Sequence, residues 1–186
     1  MRRVIIQQLT SSRVPELYNL VSELLSERYN PEIFIFLKSV WPEGQLLLHG
    51  QDGYLLGFLL GTWVDNDESR ILMFGVRPEY RSMGLGSLLL DEFMRRTATK
   101  KGRAIRLEVR PENGDAVNFY IRRGFHVVGM IPRYYRDGGD GIMMRRLLNE
   151  TSGPRYVDYA CNRGTSPSGS PTHPRTALSC RSRSGL

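Results

Sequence analysis

The chain has 186 residues, 40% hydrophobic and 24% charged, the balance of a soluble globular protein with length for one domain and a tail. No run approaches the ~20 apolar residues of a membrane helix, and the N-terminal stretch turns polar at Gln7 and Gln8, too soon for a signal-peptide core. The net charge of +7 divides into +3 over residues 1–150 and +4 over residues 151–186, so the folded part is only mildly basic and a general nucleic-acid-binding role is disfavoured.

Residues 1–150 alternate between the periods of strands and helices. Val4-Ile5-Ile6 reads as a short strand. Thr10-Ser11-Ser12 then offers helix caps, Pro15 suits a first turn, and Val14, Leu17, Val21, Leu24 and Leu25 recur at helical spacing. A second short helix starts near Pro31 and is expected to bury Ile33, Phe34, Leu37 and Trp41. Residues 46–48 and 54–64 are strands joined by the turn Gly50-Gln51-Asp52-Gly53, and residues 70–76 form another after Asp65-Asn66-Asp67. A helix over 84–101 carries Leu85, Leu88, Leu89 and Phe93 on one side. Residues 104–110 are a strand, 115–123 a short helix, and 125–131 and 141–148 the last two strands. The order β-α-α-β-β-β-α-β-α-β-β predicts an α/β fold: a mixed sheet with helices on both faces.

Residues 151–186 differ in kind: Ser, Thr, Pro and Gly fill 19 of 36 positions, with no apolar periodicity. Such a segment buries too little surface to offset the entropy of ordering it, so 150–186 reads as a disordered basic tail beyond a domain at 1–149. The tail is the one part with a composition suited to nucleic acid or an acidic partner. The two cysteines, Cys161 and Cys180, both lie there. That is no disulfide scaffold, and the cytoplasm is the expected compartment. His49, His126 and His173 are scattered without ligand spacing, so no metal site is expected.

Two strings carry the chemistry. The first, Val76-Arg77-Pro78-Glu79-Tyr80-Arg81-Ser82-Met83-Gly84-Leu85-Gly86-Ser87, joins a strand to an amphipathic helix. A helix start offers unpaired N–H groups and the positive end of its dipole, Gly84 and Gly86 allow close main-chain approach, and Arg81 adds a cation. Alone, this describes an anion site or merely a loop with positive φ. It lacks the Gly-Lys-Ser/Thr of triphosphate loops and the Gly-x-Gly-x-x-Gly of dinucleotide folds. The second string runs from Leu107-Glu108-Val109-Arg110 through Asn113 and Ala116 to Phe119-Tyr120 and Gly124-Phe125: a strand, a turn, and a helix stopped by glycine. Glu108 shares a strand face with Arg106 and Arg110 and could simply pair with either.

The first string resembles motif A of the GNAT family of N-acetyltransferases, V-x-P-x-Y-R-x-x-G-[IL]-G, at every specified position. The second is similar to motif B, L-E-V-R-x-x-N-x-x-A-x-x-F-Y-x-x-x-G-F, in the form of the protein N-terminal branch that includes the ribosomal-protein alanine acetyltransferases and archaeal relatives. The resemblance covers about residues 3–148. It implies a central mixed sheet of about seven strands flanked by four helices, with acetyl-CoA as co-substrate. The main chain of Arg81, Ser82, Met83, Gly84, Leu85, Gly86 and Ser87 would bind its pyrophosphate, Val76 would pair with the pantetheine amides, and Asn113 would touch the pantetheine or phosphate arm. Glu108 would be the base, directly or through water, and Tyr120, beside the thioester sulfur, the acid for the leaving thiolate. A backbone N–H of the strand ending at Val76 would serve the oxyanion.

The segment Pro132-Arg133-Tyr134-Tyr135 with Asp140-Gly141-Ile142-Met143-Met144 resembles the last inter-strand loop of the same branch, with Gly141 in place of the usual alanine. Tyr134 and Tyr135 would hold the acceptor peptide, or act only as packing lids. Tyr29 and Glu32, in the loop between the first helices, would form the other wall. The expected acceptor is a protein or peptide N-terminus. The alternatives are a small amine or lysine side chain, or a non-catalytic coenzyme A-binding regulator.

Overall fold

The computed structural model describes residues 4–25, 27 and 29–148. The tail reading at 150–186, with Cys161, His173 and Cys180, and Arg28 of the first inter-helix loop lie outside the described residues.

Fourteen elements, three of them short 3-10 turns, follow the order read from the hydrophobic periods. The strands are β1 (Val4–Gln8), β2 (Gln45–Gly50), β3 (Leu55–Trp63), β4 (Glu68–Val76), β5 (Ala104–Val109), β6 (His126–Ile131) and β7 (Gly141–Leu147). The helices are α1 (Val14–Leu24), α2 (Glu32–Val40), α3 (Leu85–Thr99) and α4 (Gly114–Arg122). The sheet is a single seven-stranded one in the order β1-β2-β3-β4-β5-β7-β6. Every neighbour pair is antiparallel except β4 and β5, which α3 connects as a crossover.

Alternation along the strands divides the core between the two faces. Leu47, Phe58, Leu60 and Met73 face α1 and α2, meeting Leu17, Leu20, Val21, Phe34 and Leu37. Leu46, Leu48, Leu59, Ile71 and Leu107 face the opposite way, toward Leu85, Leu89, Leu90 and Phe93 of α3 and Tyr120 of α4. On that side Trp41 packs against Trp63 and Phe93, with ring centroids 4.9 and 5.3 Å apart. Gly61 makes the packing possible, because a Cβ there would stand 2.4 Å from the Phe93 ring.

Three local expectations are corrected. On α3 the inward row is Leu85, Leu89, Leu90 and Phe93, and Leu88 is exposed; the helix meets the sheet one position round from the face expected. Thr10 does not cap the first helix. Its hydroxyl meets Ser12 instead, at 3.1 Å, and a 3-10 turn at Ser11–Arg13 leads into α1 with Pro15 in its first turn. On α2, Phe34 and Leu37 are buried but Ile33 only partly so.

The feature that positions the site is a bulge. Between β3 and β4 the register passes from Leu60↔Met73 to Gly61↔Ile71, which leaves Leu72 without a partner. The parallel pairing of β4 with β5 ends at the same level, at Ile71↔Leu107. A bulge adds local twist and re-aims its strand. Beyond it β4 runs on to Val76 against β3 alone, and a gap opens in the sheet between β4 and β5.

Candidate active site

Two cavities occupy the gap, of about 750 and 530 Å³. They share Leu24, Leu25, Phe74, Asn113, Ala116 and Tyr120 as lining, so Tyr120 stands at their junction.

The larger cavity is bounded by the end of β4, the loop to α3 and the outer face of α4. The Arg77 N–H donates to the Leu56 carbonyl on β3 at 2.9 Å, so by strand alternation the main-chain groups of Val76 and Phe74 face the gap. The Val76 carbonyl accepts from Arg81 Nε at 3.0 Å. This fixes the guanidinium at the cavity edge and fills one of the carbonyl's two acceptor positions. The Val76 N–H and the Phe74 main chain are the other gap-facing groups.

The loop then turns through two left-handed residues, Ser82 at φ 61° and Gly84 at φ 80°. Gly84 is the N-cap of α3 and offers no side-chain cap, so the first-turn N–H groups of α3 stay available to a ligand. Arg81, Ser82, Gly84, Leu85, Gly86 and Ser87 all line the cavity, whereas Met83 is 65% exposed and is not among its lining residues. The two glycines differ. Gly84 needs the left-handed conformation, with open space where a Cβ would stand; at Gly86 a Cβ would lie 3.4 Å from the Phe74 ring, an ordinary contact, so packing against β4 does not by itself require glycine there. Arg122 and Arg123 at the end of α4 add cations to the lining, the latter held by Asp91 at 3.0 Å. Three arginines against Asp115 and a bare helix start suit a polyanionic ligand.

Asn113 lies on both cavities, but its side chain is also the cap of α4, with Oδ1 accepting from the Ala116 N–H at 3.2 Å. Tyr120 is buried among Phe74, Phe119 and Phe125, at centroid distances of 6.3, 5.4 and 5.5 Å. Burial, with Tyr135 nearby, pushes its phenol far above the ordinary range, so the hydroxyl keeps its proton.

The smaller cavity is walled by β5, the segment after α1 and the β6–β7 loop. Glu108 faces it with a side chain only 5% exposed. Its closest partner comes from another strand, and of the two arginines that share its strand face only Arg106 pairs with it, at longer range. Arg70 on β4 donates from Nε to Oε2 at 2.7 Å, and Arg106 Nε stays 3.9 Å from Oε1. Arg110 turns to Glu27 at 2.9 Å and Asp137 at 3.0 Å and lies 3.8 Å over the Tyr135 ring. Tyr134 and Tyr135 pack edge to face at 4.9 Å, and the Tyr134 hydroxyl accepts from Arg70 Nη2 at 2.6 Å. Burial raises both phenols, Tyr135 to about 12. Tyr29 lines the same cavity and is raised by burial and then by Glu27.

Glu32 is not part of this wall. It sits exposed in the first turn of α2, with its backbone N–H donating to Asn30 Oδ1 at 3.0 Å. The carboxylate that the segment turns to the cavity is Glu27. Sequence reasoning missed Phe74, Arg122 and Arg123 in the larger cavity and, around the smaller one, Glu27 and Arg70. Glu27 stands two positions before Tyr29, and Arg70 faces Glu108 only once the β4–β5 register is known.

Residues 14–125 match the model of the acetyltransferase (GNAT) family. The chain belongs to that family. A curated relative from Bacillus subtilis (strain 168), a putative ribosomal protein bS18-alanine N-acetyltransferase, is 33% identical over 59% of this chain and 72% of its own. An N-alpha-acetyltransferase of Caenorhabditis elegans, daf-31, is 27% identical over 73% of this chain and 78% of its own. Among solved structures, Ard1 from Thermoplasma volcanium is 31% identical and superposes with a TM-score of 0.75, over 79% of this chain and 99% of that one. The protein is thus an enzyme of the N-acetyltransferase class with the mixed α/β fold of this family, and its gap between β4 and β5 is the candidate active site.

Proposed function

We propose that the enzyme transfers an acetyl group from acetyl-CoA to the N-terminal α-amine of a protein or peptide. The observation that carries the reading is the pair of cavities meeting at Tyr120, one furnished for a polyanion and the other for an amine among carboxylates and tyrosines. The relatives named for acetylation of protein α-amines support the acceptor class.

In the larger cavity the first turn of α3, from Leu85 to Ser87, holds the pyrophosphate together with Arg81, and Arg122 lies within the same lining. The gap-facing main chain of Phe74 and the Val76 N–H bind an extended amide-bearing arm as an added strand would. The cofactor supplies the activated acetyl group as a thioester. In the smaller cavity Glu108 attracts the acceptor ammonium and takes up its proton, directly or through water. The amine nitrogen then bonds to the acetyl carbon, a β4 backbone N–H stabilises the oxyanion, and the carbon–sulfur bond breaks. Tyr120 gives its proton to the departing sulfur, and the second proton that the nitrogen sheds as the amide forms passes to water, from which Tyr120 is reprotonated. Tyr29, Tyr134 and Tyr135 hold the acceptor's first residues from both sides of the gap, with Glu27 in place of the expected Glu32.

An acceptor screen tests this. Coenzyme A release is measured with short peptides bearing a free N-terminus, with the same peptides blocked at the N-terminus but carrying lysine, and with spermidine. Turnover confined to free N-termini is the expected result. Turnover of spermidine or blocked lysine peptides alone moves the enzyme to the small-amine or lysine class.

A further inference from the structure

Arg70 has no step in the chemistry above, yet it approaches Glu108 more closely than any other described residue. It stands on β4 two positions before the bulged Leu72, opposite Arg106 in the register with β5. Its Nε donates to Glu108 Oε2 at 2.7 Å and its Nη2 to the Tyr134 hydroxyl at 2.6 Å. That hydroxyl reaches the same Oε2 at 3.5 Å, the outer edge of a hydrogen bond. One planar fork therefore joins three elements, β4, β5 and the β6–β7 loop. Oε2 is occupied by this arrangement. Among the described residues the cation nearest Oε1 is Arg106, at 3.9 Å, too far for a hydrogen bond.

Gly141 belongs to the same device. A Cβ at that position would stand 3.0–3.1 Å from Tyr134 ring and Cβ atoms, tighter than ordinary packing. The absence of a side chain there lets the Tyr134 ring settle low enough for its hydroxyl to reach Arg70.

We propose that Arg70 is a positioning residue for acetyl transfer, clamping Glu108 through Oε2 and Tyr134 through its hydroxyl so that Oε1 is the oxygen offered to the acceptor amine. The clamp rests on the reading that Glu108 faces the acceptor. It adds that the carboxylate's two oxygens have separate tasks, and that the tyrosine wall and the base are set by one guanidinium.

The test compares Arg70→Ala, Arg70→Lys, Tyr134→Phe, the Arg70→Ala/Tyr134→Phe double variant and Gly141→Ala with wild type. A peptide with a free N-terminus and spermidine serve as acceptors, and thermal midpoints and calorimetric acetyl-CoA Kd values are taken for each. Arg70→Ala is expected to lower kcat by at least about tenfold through misplacement of the carboxylate, with the acetyl-CoA Kd unchanged. Lysine or added guanidinium should restore part of the rate, and the losses from Arg70→Ala and Tyr134→Phe should not multiply. Gly141→Ala, which leaves Arg70 in place, should lower kcat in the same direction and serves if Arg70 variants fail to fold. In the ligand-free wild type the Arg70 Nε–H NMR signal should be protected from solvent exchange and should lose that protection in Glu108→Gln. Multiplying losses, a loss that falls on the acetyl-CoA Kd, or an unprotected Nε–H overturns the clamp. If spermidine is turned over and the peptide is not, the peptide reading fails and the clamp is judged on spermidine by the same criteria.

Discussion

At the scale of single residues, the environments of Tyr120 and Glu108 make opposite demands. Tyr120 is buried among three aromatic rings, where a charged phenolate would be poorly solvated, and its raised pKa keeps the proton available for a leaving thiolate. Tyr120→Phe removes that proton while keeping the ring, so turnover is expected to fall by about 100-fold or more, with acetyl-CoA affinity nearly intact; stopped-flow turnover and calorimetry check this. The sign of the pKa shift sets a pH dependence as well. A phenol raised above its ordinary 10.0 stays protonated past that value, so kcat should show no alkaline loss below pH 10; an alkaline fall well below that would remove Tyr120 as the acid. Glu108 is held as one member of an ion pair. Its residue type and strand were legible from the Leu-Glu-Val-Arg string. Its closest partner was not, because Arg70 is 38 positions away and meets it only through the register of two strands.

At the scale of elements, the start of α3 is the part most legible in sequence, because proline, arginine and glycine each leave a local mark there. What sequence did not separate is the conformational demand on the two glycines. Gly84 holds φ 80°, where a β-branched residue is strained by about 1–3 kcal/mol. Gly84→Val should therefore weaken acetyl-CoA binding by about tenfold or more, by disturbing the helix start and filling the open space beside it; calorimetry reads the effect directly. The Leu72 bulge left no mark at all. A bulge is a mismatch between two strands, and nothing within Arg70-Ile71-Leu72-Met73 announces which residue loses its partner. Yet that one unpaired residue lies where β4 and β5 part company, and both cavities depend on the parting. The same limit applies to α3, where alternation among Leu88, Leu89 and Leu90 could not say which of the outer two points inward.

At the scale of the whole molecule, the element order and a mixed sheet covered on both faces were readable from hydrophobic periods alone, since each period shift marks a boundary. The sheet order was not, because it depends on pairings between distant segments. The face carrying α3 is knitted by Trp41, Trp63 and Phe93 over Gly61. Phe93→Ala should cost about 3–5 kcal/mol, visible as a lowered midpoint in denaturant with an unchanged slope. We also propose, from composition, that residues 150–186 contribute little to this core; their deletion should leave the thermal midpoint unchanged, and a large drop would contradict it.

The destination of the acetyl group decides between an α-amine acceptor and the other amine classes. Purified protein incubated with acetyl-CoA and a mixed peptide library, followed by tandem mass spectrometry, locates the transferred acetyl group atom by atom. Acetylation at free N-terminal α-amines, abolished or strongly reduced in Tyr120→Phe, is the result expected. Acetyl groups found only on lysine side chains, or no acetylated peptide at all, would contradict it.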